Sequence, residues 1–227
     1  LWLHADGASV FALRALALAR ARGAILAITE DHAVVGPGWC SRIVAAHARH
    51  PEADVIGGVV ENGATGTVVD WASFLVASGP FAPPLSRDEP RVSLQANVSY
   101  KRAALAGAVN GAMGLVQHTV NDALCGRGAT LVADEGLVVV HDQHLSWREH
   151  SAGHFHNGRS IAASRLPRLG WRRALYACAT PGLPPVMLVR TLRAVLPKRR
   201  YGRELLAGLP AMCWLLLCHA AGELAGY

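Results

Sequence analysis

Two adjacent carboxylates, Glu30 and Asp31, end the apolar run that begins Ile25-Leu26-Ala27-Ile28, and Gly36-Pro37-Gly38 follows as a turn. A short buried strand that delivers acids to its carboxyl end is how open α/β sheets place ligand and metal sites. Hard oxygen donors there suit Mg²⁺ or Mn²⁺, the ions that hold phosphates. The plainer reading of the pair is a solvated strand end. A second candidate ligand is His141, which leaves the late apolar run Val138-Val139-Val140 and offers a neutral imidazole. Its plainer reading is a surface histidine. Further on, His144, His150, His154 and His156 crowd one connection. A zinc site at His154-x-His156 is the rival reading there, but no cysteine lies nearby and the spacing fits no zinc module.

These groups need a sheet and helices to position them. The sequence predicts a helix over 8–22, a strand over 25–30, an amphipathic helix over 39–50 closed by Pro51, and a Val/Ile-rich strand over 54–61. An apolar helix is expected near 69–77, then a Pro/Gly-rich loop from Gly79 to about Arg91. A strand over 93–100, helices over 101–109 and 114–127, and strand-like pairs at 129–133 and 137–141 complete the pattern. The alternation predicts an α/β sandwich with a mixed sheet over residues 1–141. From about 142 the texture changes to a basic, apolar helical region running to residue 227: Arg-studded helices near 158–178, a Pro-broken segment at 181–196, and a final apolar stretch from Leu205 to Gly222.

Charge divides along the same line. Residues 1–141 carry 10 Lys/Arg against 12 Asp/Glu, while residues 142–227 carry 12 against 4. Because the basic half is also the half with long apolar segments, its expected partner is an anionic lipid surface. No aromatic-basic interleaving or reading motif argues for nucleic acid. Five widely spaced cysteines with no Cys-x-x-Cys pair fit a reducing compartment. The final apolar stretch, broken by Pro210 and His219, sits near the lower limit for a membrane span, so an interfacial helix and a span are both open. The chain begins with Leu, and we read it as a piece of a longer product.

Four segments, in order, carry a family resemblance. They are Thr29-Glu30-Asp31-His32 with Pro37-Gly38-Trp39; Gly57-Gly58-Val59-Val60-Glu61-Asn62-Gly63; Gln95-Ala96-Asn97-Val98-Ser99-Tyr100-Lys101-Arg102; and the helix 114–127 with the strand ending Val138-Val139-Val140-His141. Together they resemble the family 2 glycosyltransferases of the GT-A fold. The resemblance implies a GT-A-like mixed-sheet sandwich lacking its first nucleotide-binding strand, with membrane-associated C-terminal helices. It also implies a nucleotide-sugar donor, a Mg²⁺ or Mn²⁺ cofactor, and inverting transfer to a lipid-linked or saccharide acceptor. By the same resemblance Asp31 is the main metal ligand with Glu30 on the donor side, His141 is a further ligand, and Asn97, Tyr100 and Arg102 contact donor or acceptor.

Two departures stand out. The family's acidic motif reads Asp-x-Asp, and Thr29 occupies its first position here. The family's catalytic base falls at Gln117, an amide that cannot accept a proton at neutral pH; His118 and Asp122 are the nearby substitutes. The expectation is therefore a membrane-bound sugar transferase on the cytoplasmic face of a bacterial membrane. The alternatives are a non-catalytic binding protein on a degenerate transferase fold and a small integral membrane protein.

Overall fold

The structure is a computed structural model that describes residues 3–85, 97–106, 108 and 115–227. The start of the strand expected at 93–96, most of the preceding loop, parts of the helices expected over 101–109 and 114–127, and the His118 side chain lie outside the described residues. In chain order the elements are α1 (Val10–Arg20), β1 (Ile25–Ile28), β2 (Ala33–Val35), α2 (Trp39–Arg49), β3 (Val55–Asn62), α3 (Val68–Ser78), β4 (Val98–Lys101) and α4 (Arg102–Leu105). They continue with α5 (Gln117–Cys125), β5 (Leu131–His141), α6 (Trp147–Leu169), α7 (Arg173–Ala179), α8 (Leu183–Val195) and α9 (Gly202–Gly226). The chain forms two units, Leu1–Glu61 with Pro83–His141 and Asn62–Ala82 with Asp142–Tyr227.

The first unit is α/β, built on a mixed sheet with strand order β1-β4-β3-β5-β2 among the described residues. Strand β4 runs antiparallel to both β1 and β3, with Ile28 opposite Val98 and Val55 opposite Tyr100. Strand β3 is the centre, and its near-continuous apolar sequence fits a position covered on both faces. Its successive side chains point to opposite sides of the sheet. Val55 therefore joins Leu26, Val98, Tyr100, Leu115, Val120 and Leu124 in one core. Ile56 joins Trp39, Ile43, Ala46 and Leu137 in the other. Helix α2 thus covers one face and α5 the other, a sandwich of helices about a sheet.

Two features of this unit depart from the sequence pattern. The pairs expected at 129–133 and 137–141 are one continuous strand, β5, because Asp134-Glu135-Gly136 stays extended with the Gly136 N–H bonded to Asp134 Oδ1 at 2.7 Å. The short edge strand β2 has no counterpart in the expectation. It is held by its antiparallel register on β5, Ala33 opposite His141 and Val35 opposite Val139.

The second unit is helical and takes in α3, which the sequence pattern assigned to the first 141 residues. Thr67 caps α3 by accepting the Asp70 N–H at 3.1 Å. Asp70 in turn accepts from Nε2 of the buried His150 on α6 at 2.9 Å. Helix α6 starts at Trp147, eleven residues before the expected stretch, because Ser146 and Glu149 form a reciprocal capping box. Helices α6 and α9 meet backbone to backbone: a Cβ at Gly158 would collide with His219 O, and one at Gly222 with Phe155 O. Among the described residues α9 is the one helix long and apolar enough to cross a membrane, and half of its most apolar window is buried within the protein.

Candidate metal centre

The site is built by the end of β1 and the turn that follows it. The chain alternates from Leu26 to Glu30, so Leu26, Ile28 and Glu30 share one side, and a turn over Asp31-His32, closed by the Ala33 N–H on Glu30 O at 3.1 Å, sets His32 beside Glu30. Glu30 is 15% exposed at its side chain and Asp31 is 97% exposed. The adjacent acids therefore part company. Across the β2–β5 register, His141 stands opposite Ala33 and so next to His32. Glu30, His32 and His141 converge, each offering one donor atom within 4.8 Å of the others.

The three donors are linked by a hydrogen bond and ion-pair contacts, at distances that a coordination shell would also allow. His32 Nε2 lies 3.2 Å from Glu30 Oε2 and 2.8 Å from His141 Nε2, and His141 Nε2 lies 3.7 Å from Glu30 Oε2. Around an ion with bonds of about 2.1 Å, neighbouring donors sit about 3.0 Å apart at right angles and about 3.4 Å apart at the tetrahedral angle. Two imidazole nitrogens and one carboxylate suit Mn²⁺ better than Mg²⁺, which prefers a shell of oxygens.

Asp31 touches this cluster through His32 alone. Its Oδ1 accepts from His32 Nδ1 at 2.8 Å and from the His32 backbone N–H at 3.1 Å. A carboxylate accepts only, so Nδ1 carries the proton and Nε2 presents its lone pair to the cluster, the arrangement by which outer carboxylates orient ligating imidazoles. The same hydrogen bond holds the Asp31 carboxyl below its ordinary range. On the opposite flank Arg14 of α1 donates to Glu30 Oε1 at 3.1 Å and to Gln117 Oε1 at 2.6 Å. That guanidinium leaves Glu30 Oε2 turned toward the imidazoles and fixes the buried Gln117 at the first turn of α5.

The other residues expected to contact donor or acceptor, Asn97, Tyr100 and Arg102, make hydrogen bonds within the protein. Asn97 is 1% exposed; its Nδ2 donates to Val59 O at 3.0 Å and to Leu137 O at 2.9 Å, and its Oδ1 accepts from Trp39 Nε1 at 3.1 Å. Tyr100 is fully buried and its hydroxyl donates to Asn121 Oδ1 at 2.9 Å. Burial pushes that phenol well above its ordinary pKa. Arg102 donates through Nε to Gly23 O at 2.8 Å and through Nη2 to Ala21 O, closing the turn between α1 and β1.

Sequence reasoning passed over Arg14 and His32 as members of the site. His32 is placed by the turn that the Ala33 N–H closes on Glu30 O at 3.1 Å, a local feature that strand alternation does not reveal. For Arg14 no signal existed, since its partners lie 16 and 103 residues away. The fold and this cluster define an α/β protein with a carboxylate and two imidazoles gathered beyond the carboxyl ends of its first and last strands. Compared with known proteins, the chain matches no family model and no curated protein.

Proposed function

We propose that the protein is a metal-dependent glycosyltransferase that moves a sugar from a nucleotide-diphosphate donor to a lipid-linked or saccharide acceptor at the cytoplasmic face of a bacterial membrane. The observation that carries this reading is the convergence of Glu30, His32 and His141 on one point at the carboxyl end of β1, in the segment whose order of motifs resembles family 2 glycosyltransferases. A divalent ion held there would neutralise the charge that builds on a departing diphosphate. Glu30 and the two imidazoles bind it, Asp31 sets the tautomer of His32, and Arg14 fixes the rotamer of Glu30. Among Mg²⁺ and Mn²⁺ the donor set favours Mn²⁺.

One observation favours the runner-up, a non-catalytic membrane-associated scaffold or binding protein on the same fold. Gln117 stands at the position the resemblance gives to the base, and Arg14 locks its amide oxygen, so it takes no proton from an acceptor hydroxyl. Calorimetric titration of UDP-glucose and GDP-mannose, with and without Mn²⁺, separates the readings when paired with a turnover assay. Mn²⁺-dependent binding with release of UDP or GDP supports the transferase, and binding without turnover supports the runner-up. No binding with any ion contradicts the transferase and leaves a membrane-docked scaffold.

A further inference from the structure

The helical unit exposes most of its arginines but buries a few ionisable side chains between its helices. Asp70 and His150 pair at 2.9 Å, both nearly inaccessible. His219 lies 3.4 Å from Glu223, which also accepts from Arg165 Nη1 at 2.9 Å and from the Tyr227 hydroxyl at 2.9 Å. Helix α9 buries Leu205, Met212, Leu215 and Leu216 on one face and presents a second apolar face outside. On α9, Leu206 is 77% exposed, and Trp214, Leu217 and Leu224 are exposed on the same side of the helix. At 100° per residue these four fall within about a quarter-turn of one another. Ala207, Pro210 and Ala221 fill the same exposed face, and between Leu206 and Leu224 that face carries no charge. A surface helix in water carries charged or polar residues on its exposed face, and α9 between Leu206 and Leu224 does not.

We infer that the outward face of α9 lies against the acyl chains of an anionic phospholipid bilayer, with the helix embedded and its polar partners sealed on the protein side. Three observations choose lipid over a protein partner. The uncharged stripe from Leu206 to Leu224 rises about 27 Å at 1.5 Å per residue, close to the roughly 30 Å of a bilayer's hydrocarbon. The inner face packs on small residues, Gly222-x-x-x-Gly226 of α9 against Gly158 and Ala162 of α6, which is how helices associate where lipid removes the hydrophobic drive between them. At the stripe's N-terminal end Arg199, Arg200 and Arg203 are exposed, placed for anionic headgroups. The inference deepens the membrane part of the proposed function and is independent of its chemistry.

The test uses the full chain with vesicles of phosphatidylglycerol and phosphatidylcholine. A photo-crosslinking phenylalanine analogue at Leu206 or Leu217 is expected to give lipid adducts, and the same analogue at exposed Val34 of β2 none. Leu217→Glu is expected to lower co-flotation with the vesicles about tenfold or more, a charge at mid-stripe being costly in hydrocarbon. Circular dichroism in detergent and Mn²⁺ binding should be unchanged by that substitution. Adducts only to protein at both α9 positions, or none at all, would overturn the inference, as would co-flotation untouched by Leu217→Glu. Because Mn²⁺ binding is read separately in detergent, a failure here is distinct from a failure of the metal centre.

Discussion

Asn97 separates a residue that binds substrate from one that holds the sheet. Replacing it with Ala leaves two carbonyls, Val59 O and Leu137 O, and one indole N–H, that of Trp39, without their partner at a site from which water is excluded. Each orphaned buried group costs about 1–3 kcal/mol, so the three together cost about 3–9 kcal/mol. That is a large part of the ~5–15 kcal/mol that keeps a domain folded. A surface residue used only for ligand binding would cost less than about 0.5 kcal/mol. Hydrogen exchange by mass spectrometry on the full chain reads the difference locally. Amides of β3, β4 and the second half of β5 are expected to exchange at least about 100-fold faster in Asn97→Ala, the equivalent of about 3 kcal/mol. Asn97→Asp should be worse, because it keeps the Trp39 bond but sets a carboxylate against two carbonyl oxygens. Exchange in both variants within about threefold of the parent would refute the bracket and return Asn97 to a binding role.

Other consequences follow from the same contacts. Gly58→Ala puts a Cβ into Asn97 Nδ2 and Leu137 O, so it should destabilise the first unit by about 2–4 kcal/mol, read as a lowered midpoint in urea. Gly222→Leu drives a side chain into Phe155 O and should separate α6 from α9, which limited proteolysis would detect as new cleavage in 142–227. His47 supplies a pH dependence. Ser99 Oγ donates to Ile56 O, so His47 Nε2 donates to Ser99 and Nδ1 is left bare and buried. Burial and then the Lys101 charge lower its pKa from 6.5. A lowered imidazole pKa means the unfolded chain binds more protons, so the stabilisation is complete above about pH 6.5 and is lost as pH falls below it toward the folded value. Thermal unfolding between about pH 7 and pH 5 should show that loss in the parent and a shallower one in His47→Gln.

Much of the first unit was legible because its signals are local. The run Ile25–Ile28, the helix entered at Trp39, and the Val/Ile-rich β3 each carry their period and their boundary residues within a dozen positions. Strand β2 was not legible, since three residues hold no period and its existence depends on the register against β5. Helix α3 reads as a local apolar helix, but its membership of the second unit comes from Asp70 meeting His150, 80 residues away. At the site, the two acids were visible and their division of labour was not. The motif comparison favoured Asp31, whereas the parity of an extended chain turns Glu30 inward with Leu26 and Ile28. That parity is a physical signal present in the sequence as far as Glu30, whereas His32 is placed by the turn that follows. Asn97, Tyr100 and Arg102 show the converse, polar residues whose partners are main-chain and core groups that become visible only once the strands are paired.

The most direct test of the centre is Mn²⁺ titration followed by electron paramagnetic resonance with ¹⁴N couplings resolved. One bound ion per chain with two imidazole nitrogens is expected, lost in Glu30→Ala, His32→Ala and His141→Ala. In Asp31→Ala binding should persist at about 10–100-fold lower affinity, as for loss of an orienting outer carboxylate. No nitrogen coupling, or binding that requires Asp31 while surviving Glu30→Ala, would contradict the account.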